Sequence, residues 1–350
     1  MPFKPQSRFV LCSVWLLLTL AMATAQSNQP AAQAAAQAAP SPVAEAQSLL
    51  AAGKTDAAIA ALRALPKATT DDAQVNHLLG LAYYQKSDYP HAIEHLSVSA
   101  RLAKEGSPQY RQAVQLLGMA HYFLGHSKEA VSYLELVRAW APDNTENAYV
   151  LGVSYLLSQD AENARRNFAR MFALPADAAA AYLINAQMMI RQGLEESAEK
   201  ELARALELDA RLPQANYLLG ELAIYHANLD RGIELLKKEI ALNPGFAMAY
   251  YMLGEAYSRQ LKWDDAIAPL QKSIWLNPYF SGPYIALGKV YLKKADLGNA
   301  ESMLRRALAM DPNNYSGHHL LAQVLQQANR MAEAKREFDT AESLRPPANK

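Results

Sequence analysis

The chain is nearly free of cysteine: among 350 residues only Cys12 carries a thiol. Disulfide staples and a multi-thiolate metal site are thereby excluded. Neither sign of charge dominates, with 34 basic and 34 acidic residues and no basic stripe. A protein that neutralises phosphates needs such a stripe, so nucleic acid is not an expected partner. Strand-like alternation of apolar and polar residues is missing, and so are a glycine-rich phosphate loop and a Gly-x-Ser-x-Gly elbow. What remains is just over half apolar, carried mostly by Ala, Leu and Tyr. That composition favours helix.

Residues 1–25 read as an export leader. Lys4 and Arg8 precede an uncharged apolar run from Phe9 to Met22, and Ala23-Thr24-Ala25 supplies small residues for cleavage before Gln26. The run is short for a membrane span of about 18 or more residues. An uncleaved anchor is the alternative. Cys12 lacks the small residues expected before a lipid-accepting cysteine, so a lipoprotein is not expected. After cleavage the chain would carry no cysteine and no membrane segment. Without Lys4 and Arg8, 32 basic residues stand against 34 acidic ones, a charge near −2. Residues 26–42, almost wholly Ala, Gln, Pro and Ser, read as a disordered tether because they bury too little to offset ordering. The expected location is the periplasm or the medium.

Internal periodicity organises the rest. A small residue recurs at Ala46, Gly80, Gly118, Gly152, Ala186, Gly220, Gly254, Gly288 and Ala322. Every interval is 34 residues except the 38 from Gly80 to Gly118, where four extra residues fit around Lys104–Ser107. Twelve residues after the small position comes Ala or Gly, from Ala58 to Ala334, and four further comes Leu or Phe, from Leu62 to Phe338. Tyr follows the small residue by three at Tyr83, Tyr155, Tyr257 and Tyr291, and Pro closes repeats at Pro108, Pro142, Pro244, Pro278, Pro312 and Pro346. Apolar spacings of three and four within each repeat mark two helices. Asp88, Gly125, Asp160, Gly193, Asn228 and Asp296 mark the turn between them. Pro90 suits a first helical turn, whereas Pro269 lies deeper and predicts a mild kink. Glycine inside a helix costs about 1 kcal/mol against alanine, so six glycines at one position imply close approach of the paired helix.

This Leu-Gly…Tyr…Ala…Leu/Phe…Pro pattern resembles the tetratricopeptide repeat (TPR) family over residues 39–348. The first repeat departs from it, lacking the Gly, the Tyr and the closing Pro, and Trp is absent from the early position where the family often carries it. Atypical terminal repeats are usual in such arrays. The resemblance implies an all-α, right-handed superhelical solenoid of about nine helix pairs over 43–346, with a short tail at 347–350. It also implies a concave face, lined by the first helix of each pair, that holds a peptide or helix of a partner protein. The family's lining positions fall on Tyr84, Tyr122, Phe123, Tyr149, Arg191, Tyr217, Glu221, Tyr225, Tyr251, Glu255, Arg259, Lys289 and Lys293. His77, Leu81, Val153, Leu156, His319 and Gln323 occupy equivalent positions. The first half of this set is apolar and aromatic and the second half is charged. The Lys and Asn pairs with which some TPR proteins grip a C-terminal carboxylate are missing, since His77, Tyr149, Tyr217 and Tyr251 stand at those positions.

Catalysis is not expected, and no cofactor or metal is implied. One motif points the other way: His91-Ala92-Ile93-Glu94-His95 matches the H-x-x-E-H zinc-hydrolase pattern. The repeat frame directs His91, Glu94 and His95 away from the core, and a third ligand is not evident. The adjacent His318 and His319 diverge on a helix. The function expected is a non-catalytic scaffold for envelope assembly or secretion, with a self-assembling repeat protein as the alternative. The polar last helix, with Lys335, Arg336, Glu337, Asp339 and Glu342, suits a solvent-facing cap and hence a monomer.

Overall fold

The computed structural model describes residues 41–66 and 72–345, which form eighteen α-helices and no strand. The expected leader at 1–25, Cys12, most of the expected tether, the expected tail at 347–350 and Pro346 lie outside the described residues. Ser41 caps the first helix through its hydroxyl, so Pro42 belongs to that helix and not to the tether.

The helices divide into two compact units. Unit 1 contains α1 (Pro42–Ala51), α2 (Thr55–Arg63), α3 (Ala73–Gln85), α4 (Tyr89–Leu102), α5 (Pro108–Phe123), α6 (Ser127–Trp140), α7 (Thr145–Leu157) and α8 (Ala161–Met171). Unit 2 contains α10 (Glu195–Leu208), α11 (Ala215–Tyr225), α12 (Leu229–Leu242), α13 (Ala247–Arg259), α14 (Trp263–Leu276), α15 (Ser281–Lys293), α16 (Leu297–Met310), α17 (Tyr315–Gln327) and α18 (Met331–Ser343). The remaining helix, α9 (Ala179–Arg191), is divided between them. Each unit is an all-α helical repeat solenoid in which consecutive helices pair and first helices of successive repeats also touch, as α3 does α5 and α13 does α15. Within unit 2 the core is a string of small clusters rather than one centre, around Leu236 and Leu253, around Leu270 and Leu287, and around Leu304 and Leu321. Nearest-neighbour burial of this kind defines a repeat array.

The small position owes its character to the large one. A methyl placed on Gly80, Gly254 or Gly288 would lie 2.5 to 2.6 Å from Cγ of Leu96, Leu270 or Leu304, which are fully buried on the paired helix. At Gly152 the obstacle is the ring of Phe168. The repeat at Gly220 is looser, 3.1 Å from Leu236 Cγ, because its second helix carries Gly232 where the others carry Ala, and Ile224 fills the space above it.

The turn residues read from the sequence separate into two positions with different tasks. The residue seven after the small one is left-handed in every repeat, as at Gly125 (φ 76°), Gly193 (φ 73°), Ser87 (φ 61°) and Leu261 (φ 60°). Its successor sends its N–H back to end the first helix: Asp88 to Tyr83 O, Asp160 to Tyr155 O and Asp296 to Tyr291 O, all at 2.9 Å. This is a Schellman closure. The same successor then starts the second helix, its side chain accepting from the backbone of Asn163 (Asp160), Arg231 (Asn228) or Asn299 (Asp296).

Between repeats, proline sets the break. Ala141, Asn243, Asn277 and Asp311 each precede a proline and leave the helix with φ between −133° and −139°, the extended geometry that a following proline imposes. Pro108 is different, since it opens α5 and does not close a repeat. Of the four extra residues near it, three lengthen α5 to 16 residues, against 13 in α7, and the connection gains the fourth. Pro90 lies in the first turn of α4, and α14 continues unbroken through Pro269.

One break in unit 2 carries Ala210 where the others place proline directly after the helix, its proline coming late as Pro213, and it also lacks a capping side chain. Gln214, before α11, is left-handed with φ 70° and gives no side-chain cap. Glu239 on α12, completely buried, substitutes: its carboxylate accepts from the N–H of Gln214 at 2.9 Å and of Tyr217 at 3.4 Å. An anion at a helix N-terminus meets unsatisfied donors and the positive end of the helix dipole.

Candidate functional site

The first-helix positions singled out in the sequence have distinct surroundings in the two units. In unit 1 they form an aromatic group. Tyr84 on α3 meets Phe123 on α5 at 6.5 Å between ring centres, and Tyr122 lies 5.5 Å from Phe123. Tyr89, which the family positions do not include, stacks on Phe123 at 4.9 Å and meets the edge of Tyr84 at 5.7 Å. Phe123 is 49% and Tyr149 36% exposed, a high value for rings inside a folded array. Burial, with Tyr89 and Glu146 nearby, holds the Tyr84 hydroxyl in its protonated form well above the ordinary range. Val153 and Leu156, at equivalent positions on α7, belong to the core at 0% and 2% exposure. His77 is also buried, with Nε2 2.9 Å from Gln112 Oε1. Arg191 ends α9 and is exposed.

In unit 2 the same positions combine rings with charges. Tyr217 packs edge-on against Phe246 at 5.0 Å, and Tyr251 against Phe280 at 5.1 Å. The two phenylalanines stand one repeat apart and cap α13 and α15, so each tyrosine is seated by the start of the next repeat. This recurrence was present in the sequence as a 34-residue spacing between aromatic residues. Burial pushes the Tyr251 hydroxyl up to about 12; Glu255 adds to the shift and Arg259 opposes it. Tyr217 is raised in the same way by burial, Glu221 and Tyr251. Glu221 and Glu255, each one residue after the small glycine, are half-buried, and burial alone raises the Glu221 carboxyl above its ordinary range. Arg259 donates to the Ile224 carbonyl at 3.4 Å. Tyr225 is 45% exposed at the end of α11 and meets His226 edge-on.

Three of these positions converge. A cavity of about 560 Å³ opens between α13, α15 and α17, lined by Tyr251, Glu255, Phe280, Ile285, Lys289 and His319 among others. Lys289 is half-buried and Lys293, one turn on, is exposed. His319 stacks on Tyr315 at 5.8 Å and lies 2.9 Å from the amide of Gln323. Its neighbour His318 diverges, with Nδ1 2.6 Å from Glu337 and Nε2 2.9 Å from the Pro312 carbonyl, and so pins the last helix pair. A smaller recess of about 210 Å³ lies at the α6–α7 turn of unit 1 around Asn144 and Asn167.

The H-x-x-E-H segment has a packing role. His91 and His95 both stack on Tyr83, at 5.0 and 5.6 Å. Each uses Nδ1 internally: His91 with the Asp88 carboxylate at 2.8 Å, His95 with Asn76 Oδ1 at 2.9 Å. His95 is half-buried rather than turned to solvent as the repeat frame implied, because Tyr83 and Asn76 of α3 reach over it. Among the described residues no group of three or more His, Cys, Asp or Glu side chains is placed to hold a metal. Among the same residues no helix is long and apolar enough to cross a membrane.

Tetratricopeptide repeat models match residues 43–107, 112–144, 217–279 and 291–348. The chain belongs to the tetratricopeptide repeat family. No curated protein matches it. Among solved structures, it is similar to a MamA chain at 23% identity, covering 45% of this chain and 93% of that one, with a TM-score of 0.43. MamA from Desulfovibrio magneticus RS-1 is similar at 21% identity, 47% and 94% coverage and a TM-score of 0.45. YrrB, titled a TPR protein with an unusual peptide-binding site, is similar at 19% identity, 49% and 89% coverage and a TM-score of 0.43.

Proposed function

We propose that this chain is a non-catalytic interaction scaffold that holds a segment of a partner protein against the first-helix face of unit 2. The observation that carries the reading is the combination at α13 and α15: seated tyrosines, half-buried charges and a cavity of about 560 Å³ on one face. Aromatic side chains dominate binding energy at interfaces. A rigid repeat array presents them at fixed spacing, so little entropy is lost on binding. The leader at residues 1–25 supports export, and we assign the scaffold to the periplasm or the medium, in envelope assembly or secretion.

Site-specific photocrosslinking tests the reading. A photoreactive side chain at Ile285, on the cavity wall, should trap a discrete envelope protein. The same group at Gln271, on a second helix, should not. Equal trapping from both positions, or none from Ile285, would overturn it. N-terminal sequencing of the mature protein tests export, and a chain starting at Gln26 is the expected result.

A further inference from the structure

The charges of the unit 2 face specify what kind of peptide it takes, an inference that rests on the scaffold reading above. The residue after the small glycine is Glu221 on α11, Glu255 on α13 and Lys289 on α15, and α17 carries the neutral Gln323 there. All four positions belong to one unit and to helices that touch in succession. The three charged groups are half-buried. Elsewhere in this unit charged side chains bridge neighbouring repeats: Lys294 with Asp264, Arg231 with Glu199 and Arg330 with Glu301. Among the described residues Glu221, Glu255 and Lys289 form no ion pair within 4.0 Å, although Glu255 and Lys289 have opposite signs and line the same cavity.

A half-buried charge without a counter-charge is costly, and a partner group that supplies one recovers the loss. Two opposite charges held apart across a cavity call for a ligand carrying both signs in the reverse order. Packed helices lie about 8–10 Å apart, and an extended chain advances about 3.3 Å per residue. A peptide crossing from α13 to α15 therefore covers that distance in about three residues. Phe280 and Ile285 on the cavity wall favour an apolar side chain between the charged ones.

We propose that the face of unit 2 recognises an extended, ampholytic peptide segment, with a Lys or Arg set against Glu255 and an Asp or Glu about three residues away against Lys289. Glu221 extends the basic-reading side by one helix, and Lys293 extends the acidic-reading side along α15. An unpaired charge meeting a like charge is rejected, so the order of signs fixes the direction in which a given segment binds.

The test uses the full chain and a displayed library of random dodecapeptides. Selected peptides should carry a basic and an acidic residue two to four positions apart, flanking an apolar one. Against one such synthetic peptide, Glu255→Lys and Lys289→Glu should each weaken binding at least tenfold, with unchanged helical content. The double exchange should restore binding to the peptide whose two charges are interchanged. Glu255→Gln, which preserves shape, should weaken binding less than Glu255→Lys does. Selected peptides that lack the paired charges, or affinities that move less than twofold on charge reversal, would overturn this specificity and leave the scaffold reading standing. A library that yields no binder would overturn both.

Discussion

Gly220→Ala and Gly254→Ala make the same chemical change at the same repeat position, yet the structure assigns them opposite signs. Alanine in place of glycine inside a helix gains about 1 kcal/mol. At Gly254 the new methyl would lie 2.5 Å from Cγ and 2.6 Å from Cδ2 of Leu270, with the Ala266 carbonyl 3.3 Å away. Comfortable carbon contacts are about 3.5–4.0 Å, so roughly 1 Å of overlap must be relieved. Leu270 is fully buried. Overpacking of this kind costs about 1–3 kcal/mol, which leaves Gly254→Ala destabilised by about 1 kcal/mol. At Gly220 the new methyl would lie 3.1 Å from Leu236 Cγ and 3.3 Å from the Gly232 carbonyl, with no contact under 3.0 Å, and a shift of a few tenths of an ångström relieves it. There the propensity gain wins, and the variant should be neutral or stabilised by up to about 0.5 kcal/mol. Urea unfolding followed by far-UV circular dichroism on the full chain measures the difference between the two variants, expected at about 1–2 kcal/mol. A Gly254→Ala protein as stable as Gly220→Ala would refute the account of why this position is small. Ala46, Ala186 and Ala322 occupy it in other repeats, facing Leu62, Leu202 and Phe338, so neither the position nor the type of the facing residue sets the limit by itself; the closeness of approach does.

Two further outcomes follow from local geometry. Leu261 is 68% exposed and left-handed, a conformation that costs an L-residue about 1–2 kcal/mol; Leu261→Gly removes that cost, less about 0.4–1 kcal/mol of unfolded-state entropy. The urea midpoint should rise, and an unchanged or lower midpoint would contradict the strain. The raised Glu221 carboxyl makes a pH-dependent difference: its folded-state pKa lies above its unfolded value, so the favourable protonated form contributes below the unfolded pKa and is lost as pH rises through the folded one. Wild type should therefore lose stability relative to Glu221→Gln as pH rises through that window; parallel stability profiles for the two proteins would show that the carboxyl is not desolvated.

Much of the architecture was legible because a repeat array makes the same local decision many times. The residue at the small position, its Leu or Phe counterpart sixteen residues later and the proline at the break each recur, so chance matches cancel. The turn was legible only in part. In the sequence Gly125 and Asp88 mark the same turn of the repeat, whereas in the structure the first supplies the left-handed residue and the second both closes one helix and caps the next. The insertion was placed in a connection, but most of it lengthens α5, because extending a helix satisfies backbone hydrogen bonds that a longer loop leaves to solvent.

The binding face was legible as a set of positions and illegible as a surface. Helical phase says which residues lie on a face; it does not say how far the next repeat covers it. Val153 and Leu156 fell on that face and are core, while Tyr89, Phe246 and Phe280 fell outside it and shape it. The two histidines of the H-x-x-E-H segment show the same limit, since Tyr83 and Asn76, a helix away, occupy them.

Local physics thus fixed where helices start, stop and approach: φ preferences, capping and side-chain volume act within a few residues and are written in the chain's order. Which polar groups end half-buried and without an ion pair depends on how residues thirty or more apart are placed, as Glu255 and Lys289 are around one cavity, and only the folded arrangement settles that. Glu239 makes the point most simply, for nothing beside it in the sequence announces that its carboxylate will cap the start of the other helix of its hairpin.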